Sequence, residues 1–255
     1  CCGFEGKRTP PCADAIVDAG IRRVVIGLPD PDPRVTGQGI ARLREAGVDV
    51  TVGVRAQEVG DQLAAYVTHR TTGRPYVLLK LAASLDGRTA APDGTSRWIT
   101  GDEARADAHV LRAESDAVLV GAGTVRSDDP SLTVRHVEGP DPRRIVLGHA
   151  LPDARVQPCD SYSGDLSEIL DRLGAEGVVQ LLVEGGATVA AAFHRAGLVD
   201  RYVLYLAPAL FGGGDAPGLF TGPGAPTMAD VWRGRIVETT RLGADLKVVL
   251  ERKAA

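Results

Sequence analysis

The spacing of apolar positions changes repeatedly along the chain, and each change marks an element. Helical spacing over Ala13–Ala19 leads into a short Val/Ile strand at Arg23–Ile26. A second helix at Gly39–Ala46 leads into a second strand at Val48–Val52. Leu63, Ala64 and Val67 recur at helical spacing within Val59–His69. The stretch Thr71-Thr72-Gly73-Arg74-Pro75 then supplies turn chemistry and a proline, which places a domain boundary between residues 1–72 and 73–255. From Tyr76 to Ser84 the apolar run is nearly continuous, as in a strand buried on both faces. Asp86-Gly87 is a turn signal. Thr100-Gly101-Asp102-Glu103 matches a capping box and opens a helix that runs to about Glu114. Further strands are expected at Ala117–Val120, Arg144–Leu147, Val178–Val183, Tyr202–Leu206 and Lys247–Glu251, with helices at Leu166–Leu173 and Thr188–Ala196. Strands alternating with helices predict an α/β fold with a mostly parallel sheet covered on both faces.

Two of these strands end in glycine turns, at Gly121-Ala122-Gly123-Thr124 and at Glu184-Gly185-Gly186-Ala187-Thr188. An apolar strand passing through small residues into a helix presents backbone N–H groups and a helix N-terminus to an anion. Gly121-Ala122-Gly123 matches the dinucleotide fingerprint only in part, since Arg126 stands where the third glycine belongs. The polar loop Thr124–Thr133 follows directly, placing Thr124 and Asp128 beside a ribose or diphosphate in the crevice beyond the strand ends. On the helix after Thr100, Arg105, His109 and Arg112 share one face. That face is either solvated or a phosphate clamp completed by Arg135. Glu184 is either a partner of the helix N-terminus or a ligand-reading carboxylate, and Trp98 either core or a cover for a cofactor face. Phe211-Gly212-Gly213-Gly214 is either a strand connection or an anion-holding loop.

Composition narrows the classes. A hydrophobic share of 44% with 24% charged residues is ordinary for a globular protein, and a formal charge of −4 argues against a nucleic-acid partner. Apolar stretches are too short for a membrane span. Cys1, Cys2 and Cys12 cluster while Cys159 stands alone, which fits a reducing cytoplasm better than a disulfide framework and leaves the cluster metal-related or accidental. The chain begins with Cys inside that cluster, so a cut N-terminus is expected. The histidines show no metal-type spacing and no Ser/His/Asp arrangement stands out, so the second domain is not expected to hydrolyse.

Taken together, Lys80–Ala90, Ser96–Thr100, Gly121–Val125 with Asp128-Asp129-Pro130, Leu132–Arg135, Val183–Gly186 and Ala207–Gly212 resemble the bifunctional riboflavin-biosynthesis deaminase–reductase family nearly end to end. Gly6–Ala15 and Asp30–Pro33 resemble the end of its deaminase domain. The resemblance implies a dihydrofolate-reductase-like second domain after an incomplete cytidine-deaminase-like one. It implies NADPH-dependent reduction of 5-amino-6-(5-phosphoribosylamino)uracil to the ribityl compound. Cofactor contacts would fall on Ala82, Trp98, Thr124 and Asp128, and on Gly186, Ala187, Thr188, Val189, Ala190, Ala191 and Ala192. Substrate contacts would fall on Ser96, Arg112, Leu132, Arg135 and Glu184, with Lys80 and Asp128 as polar supports near the reacting carbon. Cys1 and Cys12 would be two of the family's zinc ligands. Two thiolates fall short of the three protein ligands that catalysis needs, so zinc is expected only with further upstream ligands and deamination is not expected of this chain. A homo-oligomer is expected, as is common in the family. Two other readings stay open: a same-fold reductase of a pterin or folate-like substrate, and a nucleotide-binding protein without turnover.

Overall fold

The computed structural model describes residues 11–32 and 34–252, which divide into two compact units, Cys1–Arg74 and Pro75–Ala255. The first unit carries helices α1 (Cys12–Asp18), α2 (Gln38–Glu45), α3 (Ala56–Gln62) and α4 (Ala64–Thr72) with the parallel pair β1 (Arg23–Ile26) and β2 (Asp49–Val52). Ala13, Leu43 and Val48 form its small core. The helix expected over Val59–His69 is two helices, broken at Leu63, whose φ of −99° and ψ of 14° leave the helical range.

The second unit is built on β3 (Tyr76–Ser84), α5 (Asp102–Ala113), β4 (Ala117–Gly121), α6 (Ala122–Asp128), β5 (Arg143–Leu147) and β6 (Asp160–Tyr162). It continues through α7 (Leu166–Ala175), β7 (Gln180–Val183), α8 (Ala187–Arg195), β8 (Arg201–Ala207), β9 (Gly234–Leu242) and β10 (Asp245–Arg252). One eight-stranded sheet runs in the order β6-β5-β4-β7-β3-β8-β10-β9. Pairing is parallel from β6 to β8 and antiparallel at β10 and β9. Central β3, β4 and β7 are apolar without alternation because helices cover both faces; Leu79, Leu119 and Leu181 have no solvent exposure. No helix among the described residues is long and apolar enough to cross a membrane.

Two local expectations are corrected, and an alternative left open by the sequence is narrowed. The capping box does not form: α5 has Gly101 at its N-cap with no side-chain cap, and the Gly101 N–H instead donates to buried Asp245 Oδ2 at 2.6 Å. The polar stretch from Thr124 is helical as far as Asp128 and ends on Asp129 in a left-handed conformation (φ 41°). In the Phe211–Gly214 loop, the N–H groups of Phe211 and Gly212 are occupied by the Asp86 carboxylate, at 3.2 and 2.9 Å. The Ser84 hydroxyl and the Gly212 N–H hold that carboxyl down at about 2.

The glycine turns owe their composition to packing. Gly121 and Gly185 both have negative or unremarkable φ, yet a Cβ on Gly185 would lie 2.4 Å from Val189 Cβ, and one on Gly121 would lie 2.8 Å from Val189 Cγ2. Glycine at these positions lets α8 seat against the ends of β4 and β7. Gly185→Ala is expected to cost about 1–3 kcal/mol through this overpacking. Gly123→Ala, with nothing within 4 Å of the added methyl, is expected to gain up to ~1 kcal/mol from helix preference. Urea unfolding of both variants tests the assignment, and equal losses would refute it.

Candidate functional site

The carboxyl side of the parallel strands opens into a cavity of about 600 Å³. Its walls come from Lys80 on β3, Val120 at the end of β4, Glu184 just past β7, the inner face of α5, and the segments around residues 96–98, 128–136 and 155. This is where open α/β sheets bind ligands. Lys80, Arg97, Arg105, Arg112, Arg135 and Arg155 face it against the carboxylates Asp128, Asp129 and Glu184. A cavity with that excess of cations favours an anionic ligand.

The face of α5 bearing Arg105, His109 and Arg112 is turned into this cavity, with His109 buried and Arg105 and Arg112 half-buried. Arg112 makes a paired bond across 72 residues of sequence: Nε donates to Glu184 Oε1 at 2.6 Å and Nη2 to Oε2 at 2.9 Å, with side chains only 12% and 8% exposed. Its Nη1 donates to the Thr133 carbonyl at 3.3 Å. Burial alone would raise the Glu184 carboxyl, but Arg112 and Lys80 together hold it below its ordinary value. Burial pushes the Lys80 ammonium below its ordinary value, with Glu184 opposing. Lys80 Nζ stands 5.7 Å from the centre of the Tyr205 ring, whose hydroxyl donates to Asp107 Oδ2 at 2.5 Å.

Buried His109 accepts the Arg135 backbone N–H at Nδ1 (3.1 Å), and its ring meets His136 edge-on at 4.6 Å. Burial, then Arg112 and Arg135, push its pKa down to about 4, so the imidazole is neutral near pH 7. The Arg135 side chain donates to the Ser131 hydroxyl and, at 2.7 Å, to Thr133 Oγ1. Leu132, buried between those hydroxyls, adopts φ 53°, and the turn this makes points them at the guanidinium. Trp98 is 70% exposed and lies over Arg105, whose guanidinium is 4.5 Å from the ring centre and is itself held by the Thr100 carbonyl (2.6 Å) and Asp102. Ser96 lines the cavity beside it, and Arg97 donates to the Asp128 carbonyl at 2.5 Å.

Of the residues expected at the site, Lys80, Ser96, Trp98, Arg112 and Thr124 share this wall, as do Asp128, Leu132, Arg135 and Glu184. Thr124 Oγ1 accepts the Gly186 N–H at 3.2 Å and so joins the cavity to the uncapped start of α8. The segment Gly186–Ala192 does not act as one surface. Ala190 and Ala191 are buried in the core and Val189 packs on Gly121 and Gly185, while Gly186 and Thr188 are exposed and Ala187 and Ala192 half-buried. Ala82 lies half-buried on β3, paired with Tyr205, and is not part of the cavity wall. His109, Arg105, Arg97, Asp129, His136 and Arg155 also line it; Arg105 and His109 left a sequence signal through their helical spacing, and Arg97 and Asp129 only as neighbours within the motifs that carry the resemblance, whereas His136 and Arg155 left none. Cys1 lies outside the described residues and Cys12 is an exposed free thiol. Among the described residues no group of three or more His, Cys, Asp or Glu could hold a metal ion. A separate cavity of about 250 Å³ in the first unit is lined mainly by aliphatic side chains, together with Asp30 and Tyr66.

Residues 75–248 match the family model described as the RibD C-terminal domain. The chain is 37% identical to the riboflavin biosynthesis protein RibD of Bacillus amyloliquefaciens, over 97% of this chain and 76% of that one. It is equally identical to RibD of Escherichia coli K12, over 96% of this chain and 78% of the relative. The chain belongs to the RibD family. Its fold superposes on Acinetobacter baumannii RibD with a TM-score of 0.90 at 34% identity, covering 99% of this chain and 79% of that structure. A deaminase/5-amino-6-(5-phosphoribosylamino)uracil reductase from Thermotoga maritima gives 0.86 at 31% identity, over 99% of this chain and 77% of that structure. The second unit is therefore the RibD reductase domain, dihydrofolate-reductase-like in fold, and the protein is an enzyme of riboflavin biosynthesis. A RibD reductase works in general with a nicotinamide cofactor.

Proposed function

We propose that this chain reduces 5-amino-6-(5-phosphoribosylamino)uracil to its ribityl counterpart with NADPH, and that residues 1–74, a partial deaminase-like unit, do not deaminate. The observation that carries this reading is the single cavity in which an exposed indole, a buried Arg–Glu pair and a cationic rim face one another. A neutral pterin needs no such rim, whereas a phosphosugar does. The cavity fits a nicotinamide dinucleotide: Trp98 offers an open aromatic face, and the uncapped first turn of α8 beside Thr124 offers backbone N–H donors. When bound, NADPH supplies the hydride.

The chain's own residues do the rest. Opening the ribosylamine ring breaks the C1′–O4′ bond, moves the proton of the anomeric nitrogen to that oxygen and leaves a C1′=N imine, whose reduction takes a hydride at C1′ and a proton at nitrogen. Lys80, an ammonium of lowered pKa without a carboxylate within ion-pair distance among the described residues, donates that proton. Glu184, fixed by Arg112, accepts hydrogen bonds from the pyrimidine or ribose hydroxyls. Asp128 orients the polar edge of the site from the end of α6.

Loss of NADPH absorbance on adding substrate tests the reading. Oxidation is expected with the phosphorylated ribosylaminouracil and not with dihydrofolate or dihydropterin. Turnover of the pterin, or binding of NADPH without oxidation by either compound, would overturn it.

A further inference from the structure

We propose that Tyr205 is the positioning residue for Lys80: its ring, turned and held by Asp107, offers a negative face that seats the ammonium at the cavity wall. The inference deepens the reductase reading and rests on Lys80 being its proton donor. The need for a seat comes from what Lys80 lacks. It lines the cavity from β3, half-buried, yet among the described residues its ammonium makes no hydrogen bond and no ion pair. The charges that bear on it stand farther off: Glu184 beyond β7 favours the ammonium and Arg112 on α5 opposes it. A cation so placed has given up water without gaining a donor's partner, and its flexible stem leaves the head free to swing.

What does lie against it is the Tyr205 ring, whose centre is 5.7 Å from Nζ. That is within the ~6 Å over which a ring face attracts a cation. Strand register explains the meeting. β3 and β8 run parallel, with Lys80 opposite Val203 and Ala82 opposite Tyr205. Side chains two residues apart share a sheet face, so Tyr205 is the diagonal neighbour of Lys80. Tyr205 is 1% exposed and does not line the cavity, so it reaches the substrate only through Lys80. Orientation decides the sign of the contact, because an aromatic ring is negative on its face and positive at its edge. The Tyr205 hydroxyl donates to Asp107 Oδ2 on α5 at 2.5 Å, and Lys247 on β10 holds the same oxygen from 3.0 Å. Elements α5, β8 and β10 thus lock the ring face-on. Donation to a carboxylate also adds electron density to the phenol, which strengthens its pull on a cation. Packing between β8 and α5 asks for neither the hydroxyl nor the Asp107–Lys247 pair behind it.

The experiment titrates Lys80 itself, by carbon-13 NMR of lysine labelled at Cε; the chain has four lysines, and Lys80→Met assigns the signal. Wild type is compared with Tyr205→Phe, with a trifluorinated phenylalanine at the same position, and with Tyr205→Leu. Fluorines withdraw charge from the ring face and change its size little, so the two aromatic variants differ in electrostatics and not in packing. The ammonium midpoint is expected to fall from wild type through phenylalanine to the fluorinated ring, by about one pH unit in all, because the face favours the charged form. The alkaline limb of the kcat profile moves to lower pH by the same amount, while the KM of either substrate is little changed. A folded Tyr205→Leu variant matches the fluorinated one. A midpoint equal in the phenylalanine and fluorinated variants overturns the proposal, whatever happens to stability. A midpoint that follows the ring while the kcat limb does not keeps the seat and refutes the proton-donor role of Lys80. One that follows the ring in a protein that oxidises no NADPH keeps the seat and refutes the reductase reading.

Discussion

Lys80→Met lowers kcat by about a hundredfold or more, the range expected when a positioned general acid is removed. Binding of the cofactor, read by the change in NADPH fluorescence on titration, stays within a factor of a few, because Trp98 and the start of α8 are contributed by other parts of the chain. Lys80→Arg separates charge from proton transfer, since a guanidinium keeps the positive charge but does not give up its proton. If the arginine variant recovers most of the rate, Lys80 acts only through its field. In wild type, kcat falls as pH rises through the lowered Lys80 pKa, because the reactive form is the ammonium. Glu184 raises that pKa, so Glu184→Gln is expected to move the alkaline limb of the profile to lower pH.

Glu184→Ala has the largest expected effect on stability. It leaves the Arg112 guanidinium, 12% exposed, without its carboxylate, and breaking a buried pair on one side costs about 3–5 kcal/mol. For a unit of this size that corresponds to a fall of at least about 6 °C in melting temperature. The double variant Arg112→Met, Glu184→Leu is expected to regain most of the stability, because apolar replacement of both partners is often neutral or favourable, while remaining inactive. A single variant as stable as wild type would show that water reaches Arg112 and that the pair is not the rigid element described here. The pair also responds to acid: the Glu184 pKa is depressed in the folded protein, so its contribution is complete above the ordinary carboxylate range and is lost as pH falls through the folded value.

Much of this was legible locally. Unbroken Val/Leu runs marked β3, β4 and β7 because strands covered on both faces have no polar positions to alternate with. The spacing of Arg105, His109 and Arg112 marked a single helix face, though not whether that face met water or a ligand. What escaped was non-local or weakly patterned. β6 has only three residues, and β9 is an edge strand whose positions are mostly exposed, so neither imposes a hydrophobic period. Thr100 lost its capping role to Asp245, 144 residues away, which takes the Gly101 N–H. The Arg112–Glu184 bond and the arrival of Arg155 at the rim likewise depend on sheet order, which brings β7 beside β4 and β4 beside β5. A pattern read within fifteen residues carries no trace of such neighbours.

The side chain of Val189 has a consequence beyond filling space. Its methyls occupy the notch above two adjacent strand ends, touching the positions of Gly121 and Gly185 together. One isopropyl wedge thus couples the wall that begins α6 to the wall that begins α8. Neither can be widened alone, so efforts to retune the site for a bulkier dinucleotide must move both walls in step or replace the wedge itself.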